Sequence, residues 1–261
     1  MGAMFEALQA ALRDHRPAVL VTVVDGPGTG EKVLLVDGEP PVGGLTEPDL
    51  ARVVGRDADA ALAAGVTSVR HYGPHGEAND DAVMVFFEVH APPPRMLIFG
   101  AVDFTAALVR VAKVLGYHVT VCDAREVFAT PARFPLADEV VVDWPHRLLE
   151  SSGATLGPRD SVCVLTHDVK FDVPAIVAAL ATDVGYLGAM GSRRTTEQRA
   201  ERLRAEGVSE ENLARVMAPI GLDLGARTPE ETAVAICAEI IALRTGSPAP
   251  SLRSSDGPIH R

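Results

Sequence analysis

Apolar and polar positions alternate with two different periods along the chain. Phe5, Leu8 and Leu12 keep one face of a short amphipathic helix. Ala18 to Val24 (AVLVTVV) then reads as a buried strand. The turn Asp25-Gly26-Pro27-Gly28-Thr29-Gly30 leads to a second strand, Lys32 to Val36, and Asp37-Gly38 is a tight-turn signal. Residues 47 to 64 are helical by period and alanine content. Strands follow near Ser68 to Tyr72 and Ala82 to His90. This is the pattern of a small α/β domain.

Ala91-Pro92-Pro93-Pro94 breaks it, because consecutive prolines fit neither a helix interior nor a central strand. Beyond the prolines the order is strand, glycine, helix, strand, repeated. Met96 to Phe99 is an apolar strand ending at Gly100, Thr105 to Leu115 is helical, and Gly116 closes that helix. Strands follow at His118 to Cys122, Glu139 to Val142, Ser161 to Leu165 and Gly185 to Leu187. Thr228-Pro229-Glu230-Glu231 carries the capping box of a last helix, whose stretch Ala233 to Leu243 is apolar nearly all round and expected to be well buried. Such alternation implies a parallel sheet covered by helices. The expected organisation is a small N-terminal α/β domain (1–91), a proline linker (92–94), a Rossmann-like domain with a parallel sheet (95–246) and a disordered tail (247–261).

Composition narrows the classes of function. The 261 residues are 47% hydrophobic and only 5% aromatic, so the core is aliphatic. A net charge of −11, from 24 basic and 35 acidic residues, argues against nucleic acid and anionic membrane as partners. Cys122, Cys163 and Cys237 are far apart with no CxxC pair, which argues against a disulfide framework or a zinc knuckle and for the cytoplasm. No signal peptide or membrane-spanning run is expected, and Met4 reads as a natural start.

Ligands of doubly wound sheets bind beyond the carboxyl ends of the strands, and four groups fall there. Phe99-Gly100-Ala101-Val102-Asp103 has the place of a dinucleotide fingerprint, with Asp123 where a ribose-binding acid would stand. Only one of its three glycines is present, and Val102 obstructs the approach of a pyrophosphate. A nicotinamide cofactor, NAD(P), is thereby weakened, and a scaffold without a dinucleotide is the competing reading. Leu165-Thr166-His167-Asp168 supplies groups that can bind a ligand or move a proton, which makes His167 and Asp168 catalytic candidates. Equally, His167 can be structural, and Asp168 and Asp172 can be caps. Gly188-Ala189-Met190-Gly191-Ser192-Arg193-Arg194 places glycines and two arginines before a helix, a cradle for an anion. Alternatively, those arginines pair with Glu197 or Glu201. Gly221 and Gly225 flank Asp223 in a loop that is either near the site or merely tightly packed.

The ordered motifs CDAREVFATPARFP, VLTHD, YLGAMGSRR and PIGLDLGARTPEETAVAICAEI resemble the XdhC/CoxI family across residues 95 to 245. The resemblance implies an accessory protein for a molybdenum hydroxylase such as xanthine dehydrogenase or carbon monoxide dehydrogenase. It implies binding of the molybdenum cofactor, or a related pterin phosphate, between the two domains. The cofactor-binding set it suggests is Gly100, Asp123, Arg125, Thr166, His167, Asp168, Gly191, Ser192, Arg193 and Arg194. Implied partners are a second copy of the chain, a cysteine desulfurase and the molybdenum hydroxylase subunit. No metal-ligand set is expected from the residues themselves. In the N-terminal domain the family's Ser-Gly-Gly-Cys-x-Glu stretch corresponds to Val42-Gly43-Gly44-Leu45-Thr46-Glu47, and a second family cysteine has no counterpart at 79–82. Leu45 can neither ligate a metal nor carry sulfur. Two other readings stand beside this one: an NAD(P)-dependent oxidoreductase using His167, and a ligand-free interaction subunit.

Overall fold

The computed structural model describes residues 2–78 and 80–254. Residue 79 and the end of the expected tail, 255–261, lie outside the described residues. Two compact units divide the chain at the prolines, Met1–Pro92 and Pro93–Arg261.

The first unit is a five-stranded sheet in the order β3-β2-β1-β5-β4, antiparallel throughout. Its strands are β1 (Ala18–Asp25), β2 (Lys32–Val36), β3 (Val42–Gly44), β4 (Ser68–Tyr72) and β5 (Val83–His90). Helices α1 (Ala3–Arg13) and α2 (Pro48–Ala64) cover the two faces. Val19, Val21 and Val23 of β1 share a core with Leu50, Val54 and Ala58 of α2. Ala18 and Leu20 instead join Ala7, Leu8 and Ala11 of α1. The unbroken apolar run of β1 follows from this double burial, since successive side chains point to opposite faces.

The second unit holds six parallel strands in the order β11-β10-β9-β6-β7-β8. They are β6 (Arg95–Phe99), β7 (His118–Cys122), β8 (Glu139–Val141), β9 (Ser161–Val164), β10 (Tyr186–Ala189) and β11 (Val216–Met217). Helices α3 (Asp103–Val114) and α8 (Pro229–Thr245) build one face. There Leu108, Ala112, Ile236 and Ile240 meet Met96, Ile98, Val119 and Val121. The opposite face carries α4 (Pro145–Ser152), α5 (Val169–Leu180) and α6 (Arg193–Ala205), with the short α7 (Glu210–Ala214) next along the chain. Leu149, Ile176, Leu180 and Leu203 cover Leu97, Phe99, Val162 and Val164 there. Strand order runs outward from β6 in one direction and from β9 in the other, so the topological switch lies between these neighbours.

The capping box of α8 forms as the sequence predicts: the Thr228 hydroxyl accepts from Glu231 N–H, and the Glu231 carboxylate accepts from Thr228 N–H. Burial of α8 is narrower than its composition suggests. Val234, Ile241 and Leu243 stay exposed, because the helix presents only one face to the sheet. Among the described residues, no helix is long and apolar enough to cross a membrane.

Candidate functional site

Four loops meet at the carboxyl ends of the parallel strands, and the residues singled out in the sequence lie on them. The loop after β6 contributes Gly100, and the one after β7 contributes Asp123 and Arg125. Thr166, His167 and Asp168 follow β9, whereas Gly191 and Ser192 follow β10 and lead into Arg193 and Arg194 of α6. Gly100 has φ +111°, a region that disfavours side chains, and a Cβ on it would lie 2.9 Å from Thr166 N. The β6 and β9 loops therefore touch at the switch point, separated only by the missing side chain.

Asp123 is 4% exposed and its carboxylate is fully engaged. Oδ2 accepts from Ala101 N–H (2.8 Å) and Arg125 Nη2 (2.7 Å), while Oδ1 accepts from Arg125 N–H and Nε (both 2.9 Å). Burial pushes this carboxyl up, but the Arg125 side chain and the two backbone N–H groups outweigh it and hold it below its usual range. Arg125 lies over the Phe128 ring at 4.6 Å. Arg133 donates to the carbonyls of Ala101 and Phe128, both at 3.1 Å. The acid expected to face a ribose instead ties the β6 and β7 loops to one another.

A second polar thread continues across the sheet. The Thr166 hydroxyl donates to Asp172 Oδ1, and Asp172 Oδ2 accepts from Arg199 Nη2 at 3.0 Å. The same Nη2 donates to the Met190 carbonyl at 2.7 Å. Asp172 and Arg199 are 3% and 4% exposed, which makes this a buried ion pair linking α5 to α6. Burial pushes the Asp172 carboxyl above its ordinary value, opposed by Thr166 and Arg199. Asp172 is thus no surface cap. Asp168 is one: it starts α5 and accepts from Lys170 N–H. His167 is exposed and has no hydrogen-bond partner among the described residues, so no third group orients it as a base.

The start of α6 differs from these saturated loops. Ser192 caps it, accepting from Thr195 N–H, while Arg193 and Arg194 are exposed and make no ion pair among the described residues. They do not pair with Glu197 or Glu201. Further along α6, Arg199 Nη1 is buried without a partner among the described residues, as is the Thr196 hydroxyl. An unpaired buried donor costs about 1–3 kcal/mol. A Cβ on Gly191 would sit 3.6 Å from that Nη1 and 3.2 Å from Thr195 Cβ. Reasoning by motif misses Arg199. Its signal is the four-residue spacing of Thr195 and Arg199, which puts them on one face of α6, with Gly191 four residues earlier in the loop before the cap.

The remaining motifs have structural explanations. Ile220 N–H donates to the Ala189 carbonyl, and Gly221 N–H donates to Glu239, which also accepts from the Tyr186 hydroxyl. A Cβ on Gly221 would lie 3.2 Å from Ile236 N, so close packing on α8 accounts for that glycine. In the first unit, Gly43 and Gly44 form β3, and Glu47 caps α2 by accepting from Leu50 N–H while pairing with His75. All three cysteines are buried, and burial pushes Cys122 up to about 12, Cys237 to about 11 and Cys163 well above the usual thiol range. None is a thiolate at neutral pH. Among the described residues, no cluster of His, Cys, Asp and Glu could hold a metal ion.

Fold and site together define a Rossmann-type domain in which Asp123 is engaged by Ala101 and Arg125 and unpartnered buried donors lie on the helix after β10. A family model described as the XdhC Rossmann domain matches residues 96–240, and the chain belongs to that family. It is 32% identical over 165 residues to a Bacillus subtilis protein named as a probable subunit of xanthine dehydrogenase, covering 63% of this chain and 47% of that one. It is 33% identical over 94 residues to the molybdenum cofactor insertion chaperone PaoD of Escherichia coli, covering 36% and 30% respectively. The chain spans less than half the length of the curated relatives it matches. A crystal structure described as a xanthine dehydrogenase from Bacillus halodurans superposes with a TM-score of 0.55 at 20% identity, over 97% of this chain and 98% of the other, which extends the likeness in fold to both units.

Proposed function

We propose that this protein is an accessory factor for a molybdenum hydroxylase of the xanthine dehydrogenase class, and that it holds the molybdenum cofactor, or a related pterin phosphate, by its anionic end. Relatives named as a cofactor insertion chaperone and as part of a xanthine dehydrogenase support the class. One observation carries the ligand reading. In a chain of net charge −11, two exposed arginines without an ion pair among the described residues begin the helix that also carries a buried guanidinium with an unused donor. Backbone N–H groups of Gly191 to Arg194 and the helix dipole favour an anion at that point. The residues present therefore fit a phosphate-bearing group. Arg193 and Arg194 would supply charge, and the loop amides would supply direction.

The cofactor brings the metal chemistry that its client hydroxylase uses; this chain binds, orients and releases it. Its three thiols are buried and burial favours their protonated form, which speaks against a part for them in sulfur handling. The closed Asp123 corner and Val102 speak against the NAD(P) reading, and His167 lacks the partner that proton transfer would need.

Isothermal titration with cofactor released from a molybdenum enzyme tests the assignment. The parent chain is expected to bind, and replacing both Arg193 and Arg194 by Ala is expected to weaken binding about tenfold at low salt, less as salt screens the exposed charges. Absence of binding by the parent overturns the cofactor reading and leaves the ligand-free interaction subunit.

A further inference from the structure

We propose that Arg199 Nη1 is the inner seat of this cradle, donating to one oxygen of a phosphate monoester that enters over the bare face of Gly191. The inference rests on the anion-binding reading above and adds the residue that gives it chemical selectivity. Three observations converge on it. Arg199 is 4% exposed and its Nη2 is fully used, by Asp172 Oδ2 at 3.0 Å and the Met190 carbonyl at 2.7 Å. Its Nη1 has no partner, although buried guanidinium donors are normally satisfied. Gly191 lies against that donor: a Cβ on it would sit 3.6 Å from Nη1 and 3.2 Å from the Thr195 side chain, so only the missing side chain and Thr195 stand at this entrance.

Asp172 fixes the seat rather than competing for it. By engaging Nη2, the carboxylate and the Met190 carbonyl lock the guanidinium plane, and a planar fork held at one end points its other nitrogen in one direction. Much of the charge of Arg199 is already balanced by Asp172, so the seat contributes direction more than attraction. Long-range attraction comes from Arg193 and Arg194, which are exposed. The two roles separate experimentally, because salt screens exposed charges and leaves a desolvated hydrogen bond nearly untouched. A tetrahedral oxyanion suits the arrangement, since one oxygen can reach the buried donor while others face the helix amides. Thr196, whose hydroxyl is also buried and unpartnered, lies one turn before Arg199 on α6.

Inorganic phosphate is the probe. Titrated into the whole chain, it is expected to shift the Arg199 guanidinium signals saturably in nitrogen-detected NMR. Arg199→Lys keeps a cation beside Asp172 but removes Nη1, and is expected to weaken phosphate about tenfold or more at any salt concentration. Gly191→Ala puts a methyl group 3.6 Å from the donor with Arg199 itself kept, and is expected to do the same; because alanine is strained at φ +157°, its result counts once circular dichroism shows the fold retained. Should Arg199→Lys fail to fold, the parent's NMR titration and Gly191→Ala still decide. Unmoved Arg199 signals, or unchanged affinity in both variants, would mean that the donor meets only water, and the seat is refuted. Released cofactor separates the two claims. Binding that ignores both substitutions refutes the seat and leaves the proposed function standing. Phosphate binding that depends on Arg199, with cofactor that neither binds nor competes, keeps the seat and refutes the cofactor assignment.

Discussion

Two corners of the same sheet end carry a buried acid facing an arginine, and they behave differently. At Asp123 both oxygens are taken, by Ala101 N–H and by three donors of Arg125. At Asp172 each oxygen accepts one bond, from Thr166 and from Arg199, and the arginine keeps a donor in hand: its Nη1 has no partner among the described residues. The first corner closes a loop that a dinucleotide would need. The second leaves a buried donor on the helix that an exposed pair of cations begins. What separates the two corners is neither residue type nor burial. It is whether donors and acceptors match once the chain's own contacts are made.

The largest expected effect is on the second corner. Arg199→Ala removes the partner of a buried carboxylate and should cost about 3–5 kcal/mol of stability. At the first corner Asp123→Asn keeps the shape but removes the charge that Arg125 faces. That arginine's side chain is 46% exposed, so the pair itself is worth little. Imperfect amide contacts to Ala101 and Arg125 N–H account for an expected loss of about 1–2 kcal/mol. Urea unfolding of both variants checks the order. If Asp123→Asn were the more damaging, the first corner, not the second, would be the energetic centre of the strand ends.

The architecture of both units was legible because local and global signals agree. Burial on both faces explains the apolar runs of β1 and β6, the prolines mark the seam, and Thr228 to Glu231 announce α8. Loop positions of the site residues followed from the βαβ pattern, since strand ends are where that topology puts ligands. Pairings were not legible. Asp123 stands at the distance expected of a ribose acid, and nothing in its spacing reveals that Arg125 folds back on it from two positions away. Arg199 was invisible for the opposite reason. A charged residue in the polar run RRTTEQRAERLRA looks solvated, yet helical geometry turns this one inward onto Asp172.

A dinucleotide probe sharpens the contrast at intermediate scale. Val102 was the evident obstacle to a pyrophosphate, but the closed Asp123 corner is a second, independent one. Val102→Gly alone is therefore expected to create no NADH affinity in a fluorescence titration to the millimolar range. It should cost about 1 kcal/mol through the lost packing of the half-buried Val102 side chain against the core, since glycine itself is acceptable at the N-cap of α3. Micromolar NADH binding in that variant would show that Arg125 yields its acid readily, and the first corner would then count as a latent site.

The smallest effect is in the dependence on pH, where the corners should differ in sign. Asp123 is held below its usual value, so its favourable contribution is present above the unfolded value of about 3.9 and is lost as pH falls through the folded one. Asp172 is pushed up by burial, so its contribution is present below the unfolded value and is lost as pH rises through the folded one. Thermal melting of Asp123→Asn and Asp172→Asn against the parent between pH 3 and 7 reads this directly, in slopes rather than offsets. The parent's advantage over Asp123→Asn should shrink toward acid, whereas its advantage over Asp172→Asn should shrink toward neutral pH. Slopes of the same sign would mean that Arg199 overcomes the burial of Asp172. The guanidinium would then be committed to its internal partner, and the inner seat would have correspondingly less pull on an incoming phosphate.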